Sequence, residues 1–406
     1  MIDNSSRFQP CQIDSVNTDD ARPLDLPASG RLTPHLVNKR WQQITQPEAQ
    51  AALLDHQTEQ TMMTYQKNIE HFIGTVKLPV GIAGPIMVRG QYAQGEFIIP
   101  LATTEAALVS SYHRGSRLIT AAGGADVMVL REGVTRTPGF AFDCLADAAQ
   151  FITWVSQQFH WLTSLAERTT HHGKLQNIQV EMEGNHVYLI FEFFTEDASG
   201  QNMVTIATQA AFDYVMNNSP VTPRHAFLDA NLSGDKKANS HALRHVRGKK
   251  VTAEIHIPER LIERYLHTSS DAMIEFGLMA NNGGQLNGTI GTNAHYANAL
   301  AAFYIACGQD AACVAESAIG MTRFERSVHG GLCASVTLPN IMVGTVGGGT
   351  QLPSQKACLD LLGLHGPGHA KALAEVLAAT CLAGELSIVG AFCAGHFTRA
   401  HHKLAR

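Results

Sequence analysis

The chain has 406 residues, 45% hydrophobic and 16% charged, enough for two or three domains with sizeable cores. Thirty Lys and Arg against 35 Asp and Glu leave a formal charge of −5. No basic excess exists to neutralise a phosphate backbone, which excludes nucleic acid as a main partner.

The first 25 residues carry Asp3, Asp14, Asp19, Asp20 and Asp25 and no continuous apolar block, an argument against a signal peptide. Residues 1–66 read as a mobile, proline-punctuated lead-in followed by a helical segment from about Pro47, a residue suited to a first helical turn, to Gln66. Pro79, Gly81, Gly84 and Pro85 then mark a strand and loop passage.

Phe140–Phe142 is a strand candidate, and Asp143 can cap the helix that follows. Leu145, Ala148, Ile152, Val155, Phe159 and Leu162 recur at steps of three and four and form one apolar helix face. Val180 and Met182 alternate with charged neighbours, Gly184-Asn185 turns the chain, and Val187–Phe194 is rich in β-formers, the pattern of a hairpin. A helix over about Met203–Met216 and a strand near Ala226–Leu228 complete the order strand-helix-strand-strand-helix-strand. That is the ferredoxin-like split βαβ order.

Residues 255–325 carry mostly helical signals interrupted by Gly283, Gly284, Gly288 and Gly291. A strand pair is expected around 332–345, and from about Ala370 one or two apolar helices run towards the C-terminus. The charge-free window 330–355 is broken by Pro339, Pro353 and Gly347–Gly349, so it reads as strand and loop rather than a membrane span. Eight cysteines without a CxxC pair fit core thiols of a reducing compartment. The expected fold class is α+β: a large helix-rich domain over 67–137 and 229–406, with a ferredoxin-like unit inserted at 138–228. A soluble, cytoplasmic enzyme is the expectation.

Four polar positions stand in small, apolar surroundings. Glu105 is either an acid at a helix start, favoured by the helix dipole, or a partly buried proton donor. Lys236, in Asp235-Lys236-Lys237, is either part of a solvated charge cluster or the stabiliser of a developing oxyanion. Asp310 can cap a helix near Ala311 or sit between a lysine and a glutamate. His401, close to the chain end, belongs to a frayed tail or is held near a site by the apolar helix before it. His241 and His245 have helical spacing but no HExxH glutamate and no third ligand, so a zinc hydrolase is a distant reading and no metal is expected. Gly347–Gly349 would admit close backbone approach by a ligand, yet no Rossmann fingerprint is present.

These positions fall in segments that resemble the signature motifs of the 3-hydroxy-3-methylglutaryl-CoA reductase family, from about Asn68 onwards. They are the segment from Asn68 to Pro85, Pro100-Leu-Ala-Thr-Thr-Glu105, Gly234-Asp-Lys-Lys237, Ile305-Ala-Cys-Gly-Gln-Asp310, Gly344-Thr-Val-Gly-Gly-Gly-Thr350 and Ala383-Gly-Glu-Leu-Ser387 with Ala394-Gly-His396. The resemblance implies a four-electron reduction of an acyl-CoA thioester by two NADPH, NADH being admissible, with catalytic roles for Glu105, Lys236, Asp310 and His401. It implies substrate and CoA contacts at Arg136, Ser111, Arg114, Lys237, His295 and Asn298. Nicotinamide nucleotide contacts fall on Asp197, Asn202, His171, Lys174, Gly347 and Gly348, with the inserted unit as the nucleotide-binding domain. A homodimer or larger homo-oligomer with its site between subunits is implied too. Three positions depart from the family pattern. Asp229 stands where relatives have a serine, the stretch Met279-Ala-Asn281-Asn282 where they carry a lysine, and Thr170-His171-His172 where an arginine would meet a 2′-phosphate. The alternatives are the same reduction of a different acyl group, or a catalytically silent CoA- or nucleotide-binding protein.

Overall fold

The computed structural model describes residues 30–44, 46–170 and 172–396, and the chain divides into two compact units at Lys77/Leu78. The expected lead-in over 1–30 lies almost wholly outside the described residues, as do His171 and His401.

In the first unit α1 (Pro34–Ile44), α2 (Pro47–Leu53) and α3 (His56–Thr61), with a 3-10 turn over Met62–Tyr65, surround Leu32, Val37, Trp41, Leu54, Met62 and Phe72. Pro47 opens α2, as its fixed φ and missing N–H favour. The single helix expected up to Gln66 is instead broken at Asp55, whose carboxylate accepts from Thr58 N at 2.9 Å and starts α3. Trp41 Nε1 donates to Ile73 O at 2.8 Å, so this small core reaches beyond Gln66.

The second unit opens with the hairpin β1 (Val80–Gly90) and β2 (Gln94–Ala102), then α4 (Leu108–Ala121) and β3 (Ala125–Arg136). Next come β4 (Gly139–Ala141), α5 (Leu145–Gln157), α6 (Phe159–Glu167), β5 (Lys174–Glu183), β6 (His186–Phe194), α7 (Gln201–Asn218), β7 (His225–Phe227) and β8 (Gly248–Ile257). The rest comprises α8 (Glu259–Leu266), α9 (Ser270–Asn287), β9 (Gly291–Thr292), α10 (Tyr296–Ala306), α11 (Val314–Ser317), β10 (Gly320–Arg326), β11 (Leu332–Ile341), α12 (Pro353–Leu362) and α13 (Ala370–Cys393).

The fold is α+β, and β4 to β7 form an antiparallel sheet in the order β7-β4-β6-β5, the arrangement the split βαβ pattern demands. This sheet is not separate from the larger one. The first part of β3 pairs with β1 and β8, and its last three residues, Val134 to Arg136, pair with Phe193 to Phe191 of β6. Arg136 therefore sits at the junction of the two sheets.

Several sequence expectations need correction. The apolar face over 145–162 is divided between α5 and α6 at Gln158; Ala148, Phe151, Val155, Leu162 and Ala166 are buried, whereas Leu145 and Phe159 face solvent. Asp143 caps nothing, because Cys144 takes the N-cap position. The later strand pair is β10 with β11, joined through Ser327–Gly331, so it begins earlier than 332. The region 255–325 is less helical than expected, since β8, β9 and β10 all contribute strand there.

The C-terminal helix α13 has the length and apolarity of a membrane span, but 83% of that window is buried inside the fold. Its leucines and valines fill the core on every side, each contributing about 1.5–3 kcal/mol of burial. Small residues let α4 cross it closely: a Cβ on Gly115 would lie 1.9 Å from Ala383 O. That close crossing brings Ser111 and Arg114 onto Ser387. Ser111 Oγ lies 2.9 Å from Ser387 Oγ, and Arg114 donates to Ser387 Oγ at 3.1 Å and Ser387 O at 2.9 Å.

Candidate active site

Lys236 lies in the loop that leaves β7. Ala230 N donates to Thr137 O at 2.8 Å and Thr135 Oγ1 to Ser233 O at 3.1 Å, tying the loop to the end of β3. Gly234 (φ +72°) and Lys236 (φ +56°) are both left-handed, a conformation that costs a lysine about 1–2 kcal/mol. The loop holds Lys236 in that strained turn with its ammonium 3.0 Å from Asp310 Oδ2.

Asp310 fulfils its capping reading and part of the other: it meets the lysine, whereas Glu105 is bonded to Asn298 instead. Asp310 Oδ1 accepts from Ala312 N at 3.0 Å, capping the turn after α10, and Oδ2 meets the lysine. The Asp310 hydrogen bond raises the Lys236 pKa above the ordinary lysine value, against the smaller opposing effect of burial. Burial works upward on Asp310, but the lysine and the Ala312 N–H outweigh it and hold the carboxyl below its ordinary value. Lys236 is thus kept protonated and Asp310 ionised.

Two further loops converge on this pair. Gln201, at the start of α7, places Nε2 3.5 Å from Asp310 Oδ2 and 2.9 Å from Cys313 Sγ. Gln309 accepts from Gly344 N at 2.8 Å and donates to Gly344 O at 3.0 Å, joining the Asp310 loop to the glycine-rich loop. Thr345 N donates to Asp197 O at 2.9 Å, joining that loop to the inserted unit. Gly347 and Gly348 have positive φ, and a Cβ at either would meet nothing within 4 Å, so their backbone is open to a ligand. Asn202 is exposed in the first turn of α7, and Lys174 is exposed and pairs with Phe194 across the sheet. The Asp197 carboxylate accepts from Gly368 N at 2.7 Å and Ala370 N at 3.1 Å, which fixes the start of α13.

Arg136, 8% exposed, is ion-paired with Asp229 and lies 3.5 Å from Asp235. Asp235 is in turn 3.0 Å from Arg247, which is 2.7 Å from the buried Glu316. Lys237 is exposed and donates to Asp235 O at 3.0 Å.

A second group forms around α4, α10 and the C-terminal part of α13. Glu105 accepts from Asn298 Nδ2 at 2.8 Å. His295 stacks on Tyr112 with ring centroids 5.4 Å apart, and its Nδ1 lies 3.2 Å from Glu385. The Glu385 carboxylate also accepts from Ala294 N (2.9 Å), His295 N (2.9 Å) and Thr322 Oγ1 (2.7 Å), fixing the entry to α10. Ser111 and Arg114 belong here through Ser387. A cavity of about 470 Å³ between α9, β10 and α13 borders this group, with Glu385 and Thr322 in its wall. Glu385 and Ser387 were visible in the sequence only as members of a motif; their burial marks them as the groups that orient His295 and Arg114.

The single chain does not unite the two groups. Glu105 makes no hydrogen bond or ion pair with Lys236 or Asp310; it is held at the first turn of α10, whereas Asp310 follows the last. From Asn298 to Ala306 the helix alone rises about 12 Å. Glu105 is neither the acid of a helix's first turn nor partly buried, the two alternatives for it: it is exposed and precedes α4, which begins at Leu108. His241 and His245 stack face to face at 3.8 Å.

An α+β chain with a protonated lysine held on an aspartate beside a split βαβ unit is suited to an oxidoreductase that stabilises a developing oxyanion. The model of the hydroxymethylglutaryl-coenzyme A reductase family matches residues 36–406, and the chain belongs to that family. It is 42% identical over 349 residues to the 3-hydroxy-3-methylglutaryl-coenzyme A reductase of Methanocaldococcus jannaschii, covering 85% of this chain and 86% of the relative. With the reductase of Haloferax volcanii it shares 38% over 405 residues, covering 96% and 100%. Among solved structures, the class II reductase of Streptococcus pneumoniae bound to NADPH matches with a TM-score of 0.66 at 20% identity, over 85% of this chain and 95% of that one, a likeness of fold.

Proposed function

We propose that the chain reduces an acyl-CoA thioester to the primary alcohol with two NADPH, converting 3-hydroxy-3-methylglutaryl-CoA to mevalonate and free CoA, in the cytoplasm. The observation that carries this reading is the Lys236–Asp310 pair at 3.0 Å, set beside the loops of Asp197 and Gly347. Those loops suit a dinucleotide: two glycines leave open backbone, and the exposed Asn202 and Lys174 of the split βαβ unit offer polar and cationic contacts. NADPH bound there supplies hydride.

Lys236, kept charged by Asp310, stabilises the oxyanion that forms as the thioester carbonyl is reduced. His401 protonates the departing CoA thiolate and prevents its return to the aldehyde. Glu105 delivers a proton to the aldehyde oxygen in the second reduction. Arg114, His295 and Asn298 take the role of CoA and substrate contacts in this reading. The separation of Glu105 from Lys236 within one chain supports a homodimer in which Glu105 of one copy meets Lys236 and Asp310 of the other. We further assign residues 138–228 as the nucleotide-binding domain and 67–137 with 229–406 as the catalytic one.

The test is a spectrophotometric assay with 3-hydroxy-3-methylglutaryl-CoA, offering NADPH and NADH in parallel and titrating the released thiol. Two nucleotides oxidised per thiol released is the expected stoichiometry. Nucleotide and CoA binding without turnover would reject catalysis in favour of a silent binding protein.

A further inference from the structure

We propose that Glu254, His256 and Cys333 form a zinc site on the outer face of the large sheet, a clamp between β8 and β11 remote from the lysine loop. The proposal is independent of the reductase reading.

Two adjacent strands supply the three ligands. Glu254 and His256 alternate along β8 with the buried Ala253, Ile255 and Ile257, so both leave the face opposite the core. Cys333 stands directly across from His256 in the antiparallel register of β11 and shares that face. One ligand atom from each residue lies within 4.8 Å of the other two. His256 Nε2 is 3.6 Å from Glu254 Oε1 and 3.9 Å from Cys333 Sγ. Around a tetrahedral zinc, with bonds of about 2.0–2.3 Å, neighbouring ligand atoms stand about 3.3–3.6 Å apart. Small side-chain adjustments therefore close the set on an ion. Sequence spacing hides it, because His256 and Cys333 are 77 residues apart.

A further contact prepares the histidine. Ser327 Oγ, in the turn between β10 and β11, lies 2.9 Å from His256 Nδ1. With Nδ1 engaged, Nε2 is the nitrogen left for a metal, the arrangement typical of ligating histidines. Thiolate, imidazole and carboxylate together suit zinc; calcium and magnesium take oxygen ligands. Glu325, across from Cys333 on β10, is already paired with Arg323 at 2.6 Å. The side chains of Glu254 and His256 are each 43% exposed, so water can complete the coordination. Burial, aided by the Glu254 and Glu325 carboxylates, holds the Cys333 thiol above its ordinary value, and zinc must release that proton on binding. From Gly248 to His256, β8 rises about 26 Å away from the lysine-loop end of the strand. The ion therefore fastens strand ends rather than joining the chemistry at Lys236.

The test uses tag-free, full-length protein, stripped with a chelator under reductant and titrated with Zn2+ by calorimetry and with Co2+ by absorbance. Tight zinc binding with proton release, a raised melting temperature and a near-ultraviolet thiolate-to-cobalt band are expected. Cys333→Ser should abolish the band, and it and His256→Gln should each weaken zinc by about a hundredfold or more. Ser327→Ala, which removes only the support of the histidine, should weaken it about tenfold to hundredfold. A wild type without the cobalt band overturns the proposal, as does zinc affinity unchanged in Cys333→Ser or in His256→Gln. Should one of these two variants fail to fold, the other decides.

Discussion

Replacing Lys236 with alanine separates catalysis from folding, because the two effects differ in size. The Lys236 and Asp310 side chains are 43% and 38% exposed, so their ion pair is screened and contributes about 0–1 kcal/mol to stability. Removing the donor to a developing oxyanion typically lowers kcat about 10²–10³-fold, or about 2.7–4 kcal/mol of transition-state stabilisation. The catalytic loss should therefore exceed the folding loss several-fold. The charge on the oxygen develops only as hydride arrives, so KM for the thioester should change little. Nucleotide oxidation followed by absorbance, with a denaturant titration of the same protein, reads both quantities. A Lys236→Ala enzyme with unchanged kcat and a raised KM would show that the lysine holds substrate rather than stabilising the transition state. A stability loss of several kcal/mol would make it a structural residue.

Asp310→Asn should move the alkaline limit of kcat to lower pH, because burial of Lys236 would no longer be opposed by a carboxylate; an unmoved limit would remove Asp310 from that role. Lys236 has a raised folded value, so its stabilising contribution is whole below 10.5 and lost as pH rises through that raised value. Asp310 has a depressed one, so its contribution is present above 3.8 and lost as pH falls through the lowered value. Between those limits the stability difference from Asp310→Asn should be constant in pH. Glu385→Ala would leave the N–H groups of Ala294 and His295 and the Thr322 hydroxyl without their acceptor, at about 1–3 kcal/mol each. Thermal melting should report that loss, and any stable Glu385→Gln protein should show a raised KM for the CoA thioester as His295 shifts.

Much of this site is legible in the amino-acid sequence. Glycine and charge at 234–237 mark the lysine loop, and Asp310 stands out because it precedes and caps the turn that starts at Ala311. The split βαβ unit was legible because its hairpin turn at Gly184-Asn185 and its alternating strands are local signals. The break at Gln158 was not, since no proline or glycine marks it and the buried stripe runs on through Leu162 and Ala166. Strand β8 was missed because its neighbours β3 and β11 lie far away in sequence. The Arg136–Asp229 pair is likewise hidden by a separation of 93 residues, although each residue stands out singly in the sequence.

Complementation between inactive variants tests directly whether Glu105 and Lys236 meet across a subunit boundary. Glu105→Gln and Lys236→Ala chains, each inactive alone, are mixed under conditions that exchange subunits. If the acid and the lysine come from different copies, each mixed dimer regains one intact site, and random pairing restores about a quarter of wild-type activity. Absence of any recovery, with exchange verified by a mass tag, would place both groups in one chain and contradict the shared site.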